Sequence, residues 1–198
     1  MKRFLAVLVL VVMMCGCVGL AEEKPFDYKE LEGLDGYSYD KFEKMWDYIG
    51  RYDQKQTDGY LSIFLQANGG KNTVNFIALG VVKKTTTGYI VADKIAILAD
   101  DTLITVGLMN FETMQAKLLT ESHAEALRIL AEAEKISFKI YYEDGSSTVL
   151  EPTKDVAPFA QVAKEIYERN LLAYNSNMGF DYTTMQNLEN DFPLTIEE

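Results

Sequence analysis

The chain has 198 residues, with 30 Asp or Glu against 19 Lys or Arg, and its formal net charge is −11. A protein this acidic repels the phosphate backbone of nucleic acids, so we expect no nucleic-acid binding. Both cysteines, Cys15 and Cys17, lie in the first hydrophobic segment. We therefore expect no disulfide, no thiolate metal site and no cysteine nucleophile in the rest of the chain.

The amino terminus has the organisation of a secretory signal peptide. Lys2 and Arg3 supply a positive start, residues 4–14 form an uninterrupted apolar run, and small residues follow at Gly19 and Ala21. This order predicts a signal peptide over residues 1–21 that is cleaved after Ala21. The apolar run is shorter than the roughly 20 residues that a membrane-spanning helix needs.

The motif MCGC suggests a second form of processing. It resembles the lipobox of bacterial lipoproteins, with Gly16 before the acceptor Cys17, although Met14 and Cys15 depart from the residues that this motif prefers. A lipidated Cys17 would become the mature amino terminus and hold the protein at a membrane through its acyl chains. An uncleaved anchor is a third form, because the stretch extended through Leu20 reaches the lower limit of the spanning range. We expect an exported protein, secreted or held in the cell envelope.

A linker and a helix are predicted next. Residues 22–36 combine Pro and Gly with many carboxylates and show no sustained periodicity, which predicts a linker. A helix fits residues 40–54, with Asp40 as its N-cap and Glu43 completing a capping box. Apolar residues recur along it at three- and four-residue steps: Phe42, Met45, Trp46, Ile49 and Tyr52.

The pattern changes to an alternation of apolar and polar residues between Tyr60 and Gly107, which predicts four strands. The turns between them are NGGKN, KKTTTG and ADDT, and Asp100 and Asp101 act as turn formers in the last of these. Residues 111–119 fit either a further strand or the first turns of the next helix.

Two more helices and a hairpin are predicted in the C-terminal half. The motif SHAE predicts a helix that is capped by Ser122, with Glu125 reaching back to the cap, and that ends near Lys135. Residues 136–150 alternate on both sides of the turn EDGSS and therefore predict a β-hairpin. A last helix fits residues 155–173.

This order of elements predicts an α+β fold. Because there is no steady βαβ alternation, we expect one antiparallel sheet of about five to seven strands with about three helices packed on one side. Residues 37–175 form the single predicted domain. Residues 176–198 form a tail that docks through Phe180 and Phe192 or stays mobile.

No catalytic or metal-binding motif stands out. His123 is the only histidine, and catalysis through it would need a nucleophile and an orienting acid that no motif supplies. Ser122 beside it is explained as a helix cap. Zinc sites use several Cys or His, and neither LDGYSYD nor ADDT has the ligand spacing of an EF-hand loop. We therefore expect no catalytic residue, no metal and no cofactor.

A basic helix face and an abundance of tyrosine favour binding instead. On the first predicted helix, a partner-binding face is formed by Lys41, Lys44, Tyr48, Arg51 and Lys55. Such a stripe on an acidic chain fits an anionic partner, although basic faces are more often solvated and paired with nearby carboxylates. The chain also holds 12 Tyr, a residue that is favoured at interfaces.

These features predict an exported bacterial protein that binds a protein, peptide or glycan outside the cytoplasm and catalyses no reaction. An exported hydrolase using paired carboxylates on a glycan or peptide is an alternative. A second alternative is a structural or assembly subunit of the cell envelope, which a large exposed apolar patch or an unpaired sheet edge would indicate. Contact with a membrane is expected only through a lipid anchor at Cys17.

Overall fold

The computed structural model describes residues 26–151, 156–176 and 182–197. The predicted signal peptide lies outside these ranges, together with both candidate processing sites, Cys17 and Ala21. None of the helices within the ranges has the length and hydrophobicity that crossing a membrane requires.

The described residues form twelve β-strands and three α-helices. The strands are β1 (Tyr37–Asp40), β2 (Met45–Gln56), β3 (Gly59–Gly69), β4 (Phe76–Thr85), β5 (Gly88–Ile90), β6 (Ala92–Ala99), β7 (Thr102–Gly107), β8 (Met109–Phe111), β9 (Met114–Leu118), β10 (Ile136–Tyr142), β11 (Ser147–Leu150) and β12 (Leu194–Glu197). The helices are α1 (Ala124–Glu132), α2 (Ala157–Glu168) and α3 (Tyr182–Asp191). Neighbouring strands are antiparallel, which confirms the predicted α+β class.

The strands belong to two sheets. Seven strands form one sheet in the order β1-β2-β3-β4-β9-β8, with β5 beside β4, and five form a second sheet in the order β11-β10-β6-β7-β12. The prediction of a single sheet is therefore wrong. Alternation shows which side chains of a strand face a core, but the choice of neighbouring strand depends on residues that are far apart in the sequence.

The segment predicted as the first helix is a strand. β2 pairs with β3 along most of its length, and Trp46, Tyr48 and Tyr52 are buried at alternate positions. Aromatic side chains fit a half-buried strand well, and Gly50 would weaken a helix by about 1 kcal/mol. Phe42, which was assigned to the apolar stripe, lies in the turn before β2 and is 96% exposed.

The two sheets and helices α1 and α2 share one hydrophobic core. Trp46 and Ile63 belong to the inner face of the seven-stranded sheet, which meets the second sheet and both helices. The Phe138 ring of β10 lies 6.0 Å from the Tyr52 ring of β2 and 5.5 Å from the Phe159 ring of α2. Phe138 therefore joins both sheets to a helix, and we call this interior the inner core.

Part of the predicted linker belongs to the inner core. Phe26 and Leu31 are buried, and the Phe26 ring lies 5.4 Å from the Trp46 ring. A 3-10 turn over Tyr28–Leu31 precedes β1. The described part of that segment is thus packed against the strands.

Helix α3 covers part of the opposite face of the seven-stranded sheet, which we call the outer face. Phe64 and Leu118 on this face form a second apolar cluster with Met185 of α3 and with Phe192 just after it. The expectation that the helices pack on one side of the sheet is therefore wrong. Phe180, the other residue expected to dock the tail, lies outside the described residues.

The C-terminal elements agree with the predictions except at their ends. The hairpin is formed by β10 and β11, and the strand alternative for residues 111–119 is correct because β9 lies there. Helix α2 ends at Glu168, earlier than predicted, and a 3-10 turn follows over Leu171–Tyr174. Its predicted first residue, Asp155, lies outside the described residues.

The predicted cap of α1 is displaced. Thr120 rather than Ser122 starts the segment, because a 3-10 turn over Glu121–His123 precedes the helix. Glu125, which was expected to reach back to the cap, instead accepts two hydrogen bonds from the Arg128 guanidinium. Thr and Ser are both good caps, so the motif could not distinguish the two positions.

Candidate functional site

A groove runs over the part of the outer face that carries exposed polar side chains. It has a volume of about 640 Å³ and is bordered by β2, β3, β4 and β9. Arg51, Asp53 and Lys55 project from β2 and are exposed, whereas Ser62 and Phe64 of β3 are buried in its floor. We call this concavity the outer groove.

Glycine shapes the floor of the outer groove. Arg51, Phe64 and Gly80 are directly opposite one another on three neighbouring strands. A Cβ atom at Gly80 would collide with the Phe64 ring and would lie 2.7 Å from the carbonyl oxygen of Gln115. The Phe64 ring can therefore lie across β4 only because position 80 has no side chain.

Cations and tyrosines alternate across one edge of the outer face. Lys55 of β2 is opposite Tyr60 of β3, Tyr60 is opposite Lys84 of β4, and Lys84 is opposite Tyr89 of β5. All four side chains are exposed, Tyr60 by 41% and Tyr89 by 40%. The Lys84 ammonium lies 5.9 Å from the centre of the Tyr89 ring, within reach of a cation–π contact. We call these residues the cation–tyrosine row; its first two members also border the outer groove.

The predicted partner-binding face is not a single surface. Arg51 and Lys55 both line the outer groove, but Tyr48 is fully buried on the inner face. Lys41 and Lys44 lie in the turn before β2, at the other end of that strand from Lys55. The face was derived from a helical period, and in a strand successive side chains point to opposite sides of the sheet.

Many of the amino-terminal tyrosines serve the inner core. Tyr37 and Tyr48 are opposite one another on β1 and β2, and both hydroxyl groups are buried without a hydrogen-bond partner among the described residues. Burial raises the pKa of Tyr37 and of Tyr48 to about 12. Tyr28 and Tyr39 stack with ring centres 5.1 Å apart. This concentration of tyrosine is therefore mostly explained by packing.

A partly buried polar cluster joins α3 to the rest of the protein. The Glu189 carboxylate of α3 accepts a hydrogen bond from the Thr120 hydroxyl at 2.8 Å. It also lies 3.2 Å from Nε2 of His123 and 3.7 Å from Nζ of Lys117. The Ser122 hydroxyl is 2.7 Å from that of Thr120 and must donate to it, because the Thr120 proton is directed at Glu189. We call these five residues the Glu189 cluster.

The hydrogen bonds define the state of His123. The backbone N–H of Thr120 donates to Nδ1 at 2.9 Å, so Nδ1 carries no proton and Nε2–H faces Glu189. Burial lowers the pKa of His123, against the opposing effect of the Glu189 carboxylate. Burial likewise lowers the pKa of the Lys117 ammonium. The His123 ring therefore joins the backbone at Thr120 to the side chain of Glu189 in α3.

The geometry of the Glu189 cluster favours a structural role over catalysis. Lys117 is 2% exposed and His123 is 4% exposed, and neither lines the outer groove. Both nitrogens of His123 face groups of the protein itself. The cluster connects β9, the segment before α1, and α3.

Metal binding finds no support among the described residues. No group of three or more His, Cys, Asp or Glu side chains in those ranges is arranged to hold a metal ion. Asp100 and Asp101 form the tight turn between β6 and β7, as predicted. The Asp100 carboxylate accepts hydrogen bonds from the backbone N–H groups of Glu134 and Lys135.

Two other concave surfaces lie elsewhere on the described part of the molecule. A concavity of about 660 Å³ lies between the end of α1 and the start of α2, where small and apolar side chains such as Ala133, Val156 and Ala160 line it. On the far side of the second sheet, Leu98 and Val149 are exposed beside Lys94 and Lys139. On the second surface the Lys94 and Lys139 ammonium groups lie 4.5 and 4.8 Å from the centre of the Tyr141 ring, but the alternation of cation and ring does not extend across four neighbouring strands as it does beside the outer groove.

Sequence reasoning missed several of these residues. Tyr60, Lys84 and Tyr89 are in or beside predicted strands, but strand pairing was needed to place them in one row. Lys117 and Glu189 resemble ordinary surface residues in the sequence, since a single charged residue in a strand or tail carries no signal of burial. The available hint was strand alternation at residues 117–119, which places Lys117 on the same face of the strand as Leu119.

Comparison with models of protein families, with curated proteins and with solved structures found no significant match. No relative therefore assigns a role to the outer groove or to the Glu189 cluster. Their chemistry has to be argued from geometry alone.

Proposed function

We propose that the protein is an exported, non-catalytic binding module whose outer groove and cation–tyrosine row take an anionic ligand outside the cytoplasm. The observation that carries this proposal is the alternation of Lys55, Tyr60, Lys84 and Tyr89 across four neighbouring strands. Ammonium groups attract an anion by charge-assisted hydrogen bonds, and exposed tyrosines offer apolar rings with a wet hydroxyl.

The local charge supports an anionic ligand despite the acidity of the whole chain. Arg51, Lys55 and Lys84 are exposed on this part of the outer face, where Asp53 is the carboxylate that lines the groove. The chain as a whole has a formal charge of −11, which repels an anionic ligand at long range. Binding of such a ligand therefore depends on short contacts with these three cations.

Binding can be tested with two polyanions of different class, polygalacturonate and poly-L-glutamate, titrated by calorimetry into the chain that begins at Glu22. We expect at least one of them to bind, and the Lys55→Gln/Lys84→Gln double variant to bind it about tenfold more weakly. Lys139→Gln is the matched control, because Lys139 is an exposed lysine beside a tyrosine on the other sheet. Unchanged affinity in the double variant, or no binding of either polymer, would contradict the proposal.

The hydrolase alternative predicts a different effect of replacing Asp53. If Asp53 were half of a catalytic pair, Asp53→Asn would abolish the release of reducing ends or peptides while leaving binding intact. A binding module should release no product from either polymer, and Asp53→Asn should preserve or strengthen its binding of a polyanion. Analysis of the products after prolonged incubation distinguishes a hydrolase from a binding module.

Export is part of the proposal and has its own test. The intact mass of the native protein should begin at Glu22 if the signal peptide is removed after Ala21, or at Cys17 with attached acyl chains if the lipobox is used. The first form belongs in the culture fluid and the second in the membrane fraction. A mass that begins at Met1 in the cytoplasm would contradict export.

A further inference from the structure

We infer that the ligand is a linear polysaccharide with a carboxylate on its sugar rings, bound across the strands along the cation–tyrosine row. This inference rests on the proposed function and specifies the class of ligand. It follows from the spacing, the direction and the backbone pairing of the row.

The spacing of the row suits a polymer that repeats a ring and a charge. Neighbouring strands lie about 4.8 Å apart. The Cα atoms of Lys55 and Lys84 are therefore separated by about 10 Å, and those of Tyr60 and Tyr89 by the same distance. The order is cation, ring, cation, ring. An apolar face of a sugar can lie against each tyrosine ring while its carboxylate meets the next ammonium group.

The pairing of the strands disfavours an acidic peptide. An extended peptide gains much of its affinity from main-chain hydrogen bonds to an unpaired sheet edge. At Tyr60, β3 is paired with both β2 and β4, and at Lys84, β4 is paired with both β3 and β5. The backbone in the middle of the row is therefore already used, so a ligand lying there meets side chains; β2 at Lys55 and β5, each paired with one neighbouring strand, form the two ends of the row.

The adjoining groove supplies groups that suit sugar hydroxyls. Ser62 lines it with a hydroxyl and Asp53 with a carboxylate acceptor, and Gln66 adds a side-chain amide whose nitrogen also donates to the Asp47 carboxylate at 2.8 Å. Arg51 lies four residues from Lys55 on the same strand face, about 13 Å away, and offers a further anion contact. A bend in the same polymer would bring it to both Arg51 and Lys55.

The decisive experiment compares polygalacturonate, its methyl ester and poly-L-glutamate on the same protein. We expect polygalacturonate to bind at least about tenfold more tightly than either other polymer, because the ester lacks the charge and the peptide lacks the ring. Tyr60→Ala should weaken binding about tenfold, whereas Tyr60→Phe, which keeps the ring, should bind within about threefold of the wild type. Urea unfolding of each variant checks that the fold is retained.

The outcomes separate the inference from the proposed function. If poly-L-glutamate binds as tightly as polygalacturonate and Tyr60→Ala has no effect, the ligand class is overturned while anion binding by the row stands. If the methyl ester binds as tightly as the free acid, the role of the lysines is overturned. If none of the three polymers binds, the inference and the proposed function fall together.

Discussion

Gly50 lies in the middle of β2, where the backbone of helix α2 comes so close that no side chain fits. A Cβ atom at this position would collide with the carbonyl group of Pro158, whose carbon would be 2.7 Å away, and would lie 2.9 Å from Cα of Phe159. These are backbone atoms, so no rotation of a side chain can relieve the clash. A single missing side chain thus sets how closely α2 packs on the strand.

Gly50→Ala should therefore destabilise the protein by about 1–3 kcal/mol, as expected for overpacking against a rigid neighbour. The free energy of unfolding in urea measures this. Gly70→Ala is the control, since its Cβ would meet only the Thr73 hydroxyl at 3.1 Å. Equal costs at the two positions would contradict the close packing of α2 on β2.

Neutralising the buried Lys117 and neutralising the partly exposed Glu189 should have unequal effects on stability. Lys117→Met removes a buried ammonium, while Glu189 keeps its contacts with Thr120 and His123. Burial already disfavours the charged form of Lys117, so we expect this change to cost less than about 1 kcal/mol or to stabilise the protein. Glu189→Gln leaves Lys117 without its carboxylate and should cost about 2–3 kcal/mol. The two free energies of unfolding, measured side by side, test the asymmetry, and a larger cost for Lys117→Met would contradict it.

At the scale of elements, helix α3 depends on both apolar packing and the Glu189 cluster. Met185 and Phe192 cover apolar side chains of the outer face, and Glu189 bonds to groups near β9 and α1. Strand β12, which follows α3, completes the second sheet beside β7. The C-terminal segment therefore touches both sheets, and its attachment should depend on the protonation of His123.

The C-terminal segment should be held less stably as the pH falls through the range in which histidine takes up a proton. The pKa of His123 is lower in the folded protein than its usual value of 6.5. Between the folded pKa and 6.5 the unfolded chain binds more protons, so the free energy of unfolding decreases as the pH falls through this window. The groups that face His123 are Glu189, Lys117 and Thr120.

We expect the loss of unfolding free energy between pH 7.5 and 5 to be larger for the wild type than for His123→Gln. Urea unfolding at several pH values measures both, and the difference between the two proteins removes the contribution of the other carboxylates. An identical pH dependence in the two proteins would show that His123 does not titrate in this window.

At the scale of the whole molecule, two sheets are held together by a common inner core. They are also joined by a C-terminal segment that covers part of the outer face and pairs with β7. Residues of both sheets and of helices α1 and α2 belong to the same apolar cluster. The outer face of the seven-stranded sheet has a separate, smaller cluster that α3 covers. Loss of the segment would therefore expose apolar side chains of the outer face, and would remove from the inner core only the packing of Leu194.

A chain that ends at Ser176 should keep most of its β structure but expose Phe64, Met109 and Leu118. We expect it to bind a hydrophobic dye such as ANS more strongly than the full chain, and to self-associate, because β7 becomes a sheet edge. Circular dichroism and sedimentation compare the two chains. A truncated chain with unchanged dye binding would contradict the role assigned to α3.

The sequence by itself predicted features that depend on local chemistry. The hairpin of β10 and β11, the turn at Asp100 and the α+β class all follow from alternation, turn residues and the order of elements, because each signal lies within a few neighbouring residues. The signal peptide over residues 1–21 is also a local prediction, and it awaits the mass measurement.

Only the tertiary structure decided the rest. The apolar residues at positions 42–52 predicted a helix, and pairing with β3 shows that residues 45–56 form a strand. The same long-range pairing divided the strands between two sheets, buried Tyr48, and brought Lys84 and Tyr89 beside Lys55 and Tyr60. Hydrogen bonds between strands join residues that are distant in the chain, so no local pattern contains the information that forms the outer groove.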